Sequence, residues 1–464
     1  MFKNLDKEKL SKIVFLLSGF VVLLIASFGI GFYSAMSKSF VYTFIDNVRE
    51  KFVLVWREKQ NIVTDGEPVD FLQPSRKAGN GVTVNEVKDS TDLILLSGFF
   101  DGSNELRLIR RDGSPIVRWP VRFSDHFPSP THLWAPPQTD RNIDIHGAVV
   151  LPNGSVVFNY EYGGTVKLSR CGDTLWTLPH PTHHSIDIAE TGGYWIPGRE
   201  AFRDTDGLTP FKRRRKHSYV DDLVLRVSEE GEIVDRKSVT AILLDNGLEP
   251  LMTAGPKEAA FDYSELVHLN KIGELSNAMA DAFPSLEKGD LVLSLRGRNL
   301  VLIVDPRLWQ VKWYQVGPWL RQHDPEFNDD GTITVFNNNV YYYELRSGQR
   351  TNLETPRISN IVKVNPKTGE TDVAYGEKRG EEFLTVLRGK HQPTSSGGFL
   401  LTEFEGGRAF EVNAQGQTIW EFINRYDSES VLEITEARVY PQSHFSVQSW
   451  ACPDTESINS QGRD

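Results

Sequence analysis

Cysteine is almost missing from this chain: Cys171 and Cys452 are the only two in 464 residues. The fold therefore cannot rest on a disulfide framework, and a core of the size this length allows has no need of one. Whether the two pair or remain separate thiols is not set by the sequence, and neither spacing makes a metal site. Positive charge is also in deficit. Lys and Arg number 51 against 62 Asp and Glu, a net −11, which removes the general case for nucleic acid as a partner but says nothing against a local anion pocket. No H-E-x-x-H spacing occurs, and no metal is expected. The adjacent pair His183-His184 is weak as a ligand set, because neighbours on a strand point to opposite faces. What the chain does have is 11% aromatic residues with 37 Gly and 24 Pro, a composition suited to a turn-dense β protein.

The N-terminus stands apart. Ile13 to Tyr33 is 21 positions without a charge, the length of a membrane-spanning helix and longer than the apolar stretch of most cleaved leaders. Ser34-Ala35-Met36 is a poor cleavage site. Lys3, Lys7, Lys9 and Lys12 precede the run, which keeps the N-terminus cytoplasmic and places the remainder outside. A removed signal peptide would export the remainder equally. From Val41 to Trp56 apolar residues recur at helical spacing, predicting a short amphipathic helix that could pack on the soluble domain, lie on the membrane or pair with a second copy as a homodimer. The expected organisation is a tail and anchor over 1–36, an amphipathic helix and linker over 37–81, and a main domain over 82–464.

In the main domain short strands alternate with Asx and Gly turns. Units begin near Leu93, His146, His184, His268, His323 and His391, and Trp119, Trp176, Trp313 and Trp420 close four of the six. Four strands per unit, a turn before the last and a closing Trp describe the blades of a propeller. The expected fold is all-β, a six-bladed β-propeller preceded by the transmembrane and amphipathic helices. A β-sandwich or solenoid would share the strand spacing but not the repeated pair of hairpins.

Histidine marks the repeat. His146, His184 and His323 each stand eight residues before a turn glycine (Gly154, Gly192 and Gly331), and His391 occupies a looser version of the place. A residue type held at one register of a radial repeat converges on the axis. Convergent imidazoles serve metal binding, acid–base work or nucleophilic transfer. Ser294-Leu295-Arg296-Gly297-Arg298, in the blade of His268, adds guanidinium groups, which cannot ligate metals but fork onto oxyanions. Arg296 and Arg298 are expected on an inner strand, alternation allowing both on one face. The basic run Lys212 to Lys216 reads as an anion-attracting lip or a solvated insertion.

Thr182-His183-His184-Ser185-Ile186 with Tyr194-Trp195-Ile196-Pro197-Gly198-Arg199, His268-Leu269-Asn270, Ser294-Leu295-Arg296 and Gln322-His323-Asp324 resemble, in order, the motifs of the arylsulfate sulfotransferases over roughly Asp144 to Trp420. The resemblance implies a six-bladed propeller and transfer of a sulfuryl group between phenols, without a nucleotide sulfate donor or other cofactor. It further implies a ping-pong path through a sulfohistidine. His323 would then be the nucleophile, Arg296, His184 and His268 the groups holding the sulfuryl and leaving oxygens, and Asn270 a polar contact. His146 and Arg298 are added here as substrate-binding candidates from their place in the repeat; His391 reads as structural. Three features depart from the family's pattern: the long anchor, an insertion from Lys271 to Lys288, and the basic loop. The partners expected are an aryl sulfate donor, a phenolic acceptor and a membrane of the cytoplasmic type bearing the anchor. The alternative is a propeller that binds a sulfated or anionic ligand without turnover.

Overall fold

The computed structural model describes residues 7–37, 48, 71–133, 135–202, 219–253, 266–340 and 358–452. The chain forms two compact units, Met1–Glu67 and Pro68–Asp464. In the first, helix α1 spans Lys7–Ser37. Its Lys9–Ser34 stretch contains an 18-residue window with a mean hydropathy of 2.7 and is long and apolar enough to cross a membrane. The sequence that predicts an amphipathic helix, Val41 to Trp56, lies outside the described residues apart from Val48, as does the basic run Lys212 to Lys216.

The second unit is a six-bladed β-propeller. Blades 2 to 5 are consecutive four-stranded antiparallel sheets whose inner strands are Ile145–Val150, Asp187–Ile188, Leu269–Glu274 and His323–Phe327. Blade 6 runs from Lys390–Pro393 to Thr418–Ile423 and gains a fifth, outermost strand, Gly81–Asn85. Blade 1 has Leu93–Phe100, Ser103–Arg110 and Pro115–Pro120 but takes its inner strand, Ile434–Tyr440, from the C-terminal segment. The ring is thus closed twice, once by each end of the domain. A short strand over Leu72–Pro74, in the stretch read as linker, pairs with Ser430–Leu432.

The blades cohere because the middle strands are apolar on both faces, as strands packed between two sheets must be. In blade 1, Leu93 and Leu95 pack with Ile145 and Val156 of blade 2, while Ile94 and Leu96 pack with Leu400 and Trp420 of blade 6. The six largest apolar clusters each fill one of the six interfaces between blades. The closing tryptophans have a polar task as well. Trp119, Trp176 and Trp420 donate their indole N–H to carbonyls in the last turn of the following blade, at Ser169 and Arg170, Glu229 and Arg111 respectively. A buried indole needs such a partner, and the next blade's turn supplies it.

One sequence reading is corrected, and one that the sequence left open is decided. The extra residues of blade 4 begin after the inner strand, which itself contains Lys271, and fill the turn from Leu275 to Asp290. Cys171 and Cys452 form a disulfide, Cα–Cα 5.6 Å, that fastens the C-terminal segment to the last turn of blade 2.

Gly147 lies where blades 2 and 3 meet most closely. A Cβ there would stand 2.2 Å from the carbonyl oxygen of His184 and 3.1 Å from Cα of Ser185, backbone that can yield only by moving the blade. Gly147→Ala is expected to cost about 1–3 kcal/mol, read as a lowered thermal midpoint, and to impair any activity that depends on His184.

Candidate active site

The inner strands converge at the axis, so residues at one register meet. The amide that closes the first hairpin of each blade belongs to Leu151, Ala189, Leu275, Asn328 and Thr394 in blades 2 to 6. Five residues before each stand His146, His184, Asn270, His323 and Gly389. The sequence register therefore holds for three histidines. In blade 4 Asn270 occupies it, and His268 sits two residues earlier. His391 lies two residues further along its strand, where its Nε2 meets the Thr334 hydroxyl and its Nδ1 is 3.8 Å from Asp324.

The buried imidazoles form one group. The ring centre of His184 is 4.0 Å from that of His146, 5.0 Å from His268 and 6.0 Å from His323. Its Nδ1 is 2.7 Å from Nδ1 of His183, and its Nε2 is 3.3 Å from Nε2 of His268. His183 and His184 do not point apart as strand neighbours would, because both precede the inner strand and His184 has φ +59°, a conformation in which alternation no longer applies. His268 has φ +58° and receives a hydrogen bond from Nη2 of Arg296 at 3.1 Å.

Arg296 and Arg298 lie in a 3-10 turn between the second and third strands of blade 4, not on an inner strand. The turn brings Arg296 back to the inner residues, its backbone N–H donating to the carbonyl of His268. Arg298 donates through Nε to the carbonyl of Leu266, bracing the approach to His268. Asn270 donates to the carbonyl of Gln322 at 2.8 Å, tying blade 4 to the residue before His323, and its Oδ1 is buried without a hydrogen-bond partner.

His323 is fixed most completely by a residue the sequence reading passed over. Asn338 donates its amide to the carbonyls of Thr385 and Arg388, leaving Oδ1 as an acceptor at 2.7 Å from Nδ1 of His323. Nδ1 must therefore carry the proton, and Nε2, buried with no hydrogen-bond partner among the described residues, is a bare lone pair. Three successive asparagines at the end of the Ile333–Asn337 strand were the available signal.

The electrostatics keep these rings neutral. Burial pushes His323 well below its ordinary range, the nearby charge of Arg296 adds to this, and Asn338 opposes it. Burial also lowers His184 and His146 strongly, each helped by neighbouring imidazoles, and His146 by Arg388 and Lys390 as well. Glu161 stands 3.8 Å from Nδ1 of His146. Neutral imidazoles beside a guanidinium are groups able to accept an anion, and Nε2 of His323 adds a nitrogen lone pair.

These shifts have a consequence for stability. A histidine whose pKa is lowered on folding binds fewer protons folded than unfolded, so stability is fully present above the unfolded value and is lost as pH falls below it. Unfolding free energy should decline below about pH 6.5 by up to about 1.4 kcal/mol per pH unit for each such histidine. His146→Gln should make that decline shallower, as measured by denaturant titration across pH 5 to 8.

A family model described as arylsulfotransferase (ASST) matches residues 144–425, the span from the approach to His146 through the last strand of blade 6. No curated protein matches the chain. Among solved structures, a protein of unknown function from Bacteroides caccae is 13% identical, with 76% of this chain and 100% of that one covered at a TM-score of 0.47. A nidogen–laminin complex is 9% identical over 73% and 96% at 0.39, and virginiamycin B lyase from Staphylococcus aureus 12% identical over 61% and 70% at 0.32. With more than half of its length matched, from blade 2 through blade 6, the chain belongs to the arylsulfotransferase family.

Proposed function

We propose that the protein transfers a sulfuryl group from an aryl sulfate to a phenol through a covalent intermediate on His323. The observation that carries this reading is the proton placement on His323. With Nδ1–H held by Asn338 and Nε2 unpartnered, the ring has its lone pair ready without a prior deprotonation. In the first half-reaction Nε2 attacks sulfur, the S–O bond to the aryl group breaks, and the phenolate leaves. In the second the acceptor oxygen attacks sulfur, the S–N bond breaks, and His323 regains its lone pair. Arg296 and the Nε2–H of His268 supply donors for the sulfuryl and phenolate oxygens, where fixed donors stabilise charge as it develops. A sulfate monoester carries a single negative charge, which these groups can balance.

His146 would line the wall of the pocket against His184, and Asn270 would offer its Oδ1. The role of Arg298 in this reading is positional, through Leu266, and not direct contact with substrate. An anchor at α1 with the propeller outside the cytoplasm is supported by the lysines ahead of it and by the Cys171–Cys452 disulfide, a bond that persists in oxidising compartments.

The test is the purified full chain with a chromogenic aryl sulfate, with and without added phenol. Release of chromophore that phenol accelerates, together with a sulfated phenol product, is expected. His323→Ala should abolish it, and Asn338→Leu, which frees the tautomer, should lower kcat about 10- to 100-fold. Release indifferent to phenol would replace transfer by hydrolysis. Binding of the aryl sulfate without release would leave a binding module.

A further inference from the structure

We infer that Asp222 and His183 form a positioning pair behind His184, making His184 the base that accepts the acceptor's proton. The inference rests on the transfer reading above and assigns functions to two residues outside the set used there.

The argument is one of proton order along a buried chain. A guanidinium only donates, so the contact between Nη2 of Arg296 and Nδ1 of His268 places the proton of His268 on Nε2. That N–H faces Nε2 of His184 at 3.3 Å, which must accept, so His184 carries its proton on Nδ1. Nδ1 of His183, at 2.7 Å, must in turn accept, and the proton of His183 is left on Nε2. That nitrogen faces Oδ1 of Asp222 at 3.7 Å, an ion-pair distance and not a hydrogen bond. The order is set from the Arg296 end, and the carboxylate stands on the side that favours it.

Asp222 is placed for this by the fold. It lies on the third strand of blade 3, is wholly buried, and accepts the backbone N–H of Leu269 through Oδ2, which fastens it to the blade of His268. Its other neighbour is Arg199, whose Nε is 3.6 Å from Oδ1 and whose guanidinium lies 4.0 Å over the ring of Tyr162. Also around His184 are the imidazoles of His146, His268 and His323, the ring of Tyr162 at 6.3 Å, and the ammonium of Lys390, which reaches the His184 carbonyl at 3.3 Å. Among these groups Asp222 is the negative charge aligned with the Nδ1 side of His184, and burial makes an imidazolium at His184 otherwise costly. A base held by a third group in this way is the general form of a catalytic triad.

In the second half-reaction the phenol O–H bond breaks and its proton goes to Nε2 of His184, displacing the N–H of His268. The phenol oxygen forms the new bond to sulfur, and the sulfur–nitrogen bond returns its electron pair to His323. The imidazolium at His184 shares its charge through Nδ1–H with His183 and Asp222. The proton then leaves to solution, where the phenolate released earlier takes it up.

Asp222→Asn tests this. The amide oxygen can still accept from Leu269, while its NH₂ faces His183 as a donor and opposes the order that Arg296 imposes at the other end of the chain. Nitrogen-15 histidine spectra of the full chain should show protonated Nε2 on His183 and protonated Nδ1 on His184, an order lost or mixed in Asp222→Asn. In single-turnover assays the loss should be about 100-fold for acceptor phenols of pKa about 10 and under about threefold for nitrophenols already ionised at the assay pH. Release of the first phenolate should be little changed. His183→Gln, which keeps a polar side chain but cannot relay, should give the same dependence on acceptor pKa. Equal losses for all acceptors with a lowered thermal midpoint would make the pair structural only, and unaltered rates in both folded variants would remove it from the reaction. If the wild-type chain transfers nothing, the transfer reading fails. The tautomer order is then decided by the spectra alone.

Discussion

Lys271 is wholly buried at the centre of the propeller, and its ammonium is the point on which the site is built. Nζ lies 2.5 Å from Glu326, 3.4 Å from Asp324 and 3.9 Å from Asp187, carboxylates from the blades on either side. A buried cation without such partners would cost several kcal/mol. Lys271 adjoins Asn270 and Asp324 adjoins His323, while Asp187 begins the inner strand that follows His184. The cluster therefore locks these three blades one to three residues beyond Asn270, His323 and His184. Against the cost of burial, the charges of Lys271 and Lys390 hold Asp324 well below the usual carboxylate range, whereas burial pushes Glu326 up to about 7. Asp324 is the firm anion of the pair, and it also accepts the backbone N–H of His391 at 2.9 Å. That gives the sixth blade's histidine its structural place.

The same geometry explains why charge is segregated along the axis. Beyond the histidines, Lys390 meets Glu436 at 2.9 Å and Arg438 meets Glu436 at 2.6 Å, so the inner strands of blades 6 and 1 are also joined by ions. Paired charges fill the centre where six strands crowd together. Neutral imidazoles occupy the level above it. In the proposed reading an anionic substrate meets Arg296 beside neutral rings, in surroundings where a guanidinium–anion contact is strengthened.

Much of this was legible in the sequence. Middle strands such as Leu291–Leu295 and Leu300–Asp305 are continuous apolar runs because both faces are covered, and three of the outer tryptophans, Trp119, Trp176 and Trp420, reach the next blade's turn. The register of His146, His184 and His323 could be counted. Closure could not, since Ile434–Tyr440 pairs with Leu93–Phe100 across nearly the whole domain and has no local mark of being an inner strand. The disulfide is the same kind of long-range fact. Arg296 was found but misplaced, because a strand running into a tight turn reads alike until the left-handed Asn299 (φ +50°) shows where it stops.

The remaining errors share one cause: alternation was applied where the backbone is not extended. His183 was set aside as the opposite-facing neighbour of His184, yet a single residue at positive φ turns both rings into one hydrogen-bonded chain. Asn338 was invisible for a related reason. Its effect is not on the shape of the pocket but on which nitrogen of His323 holds a proton, and that depends on two backbone carbonyls, of Thr385 and Arg388, some 50 residues further along the chain. Residue type and spacing can propose which side chains gather. The identity of donor and acceptor within the group is set by backbone atoms from other blades, and for a histidine that identity is what separates a nucleophile from a hydrogen-bond donor.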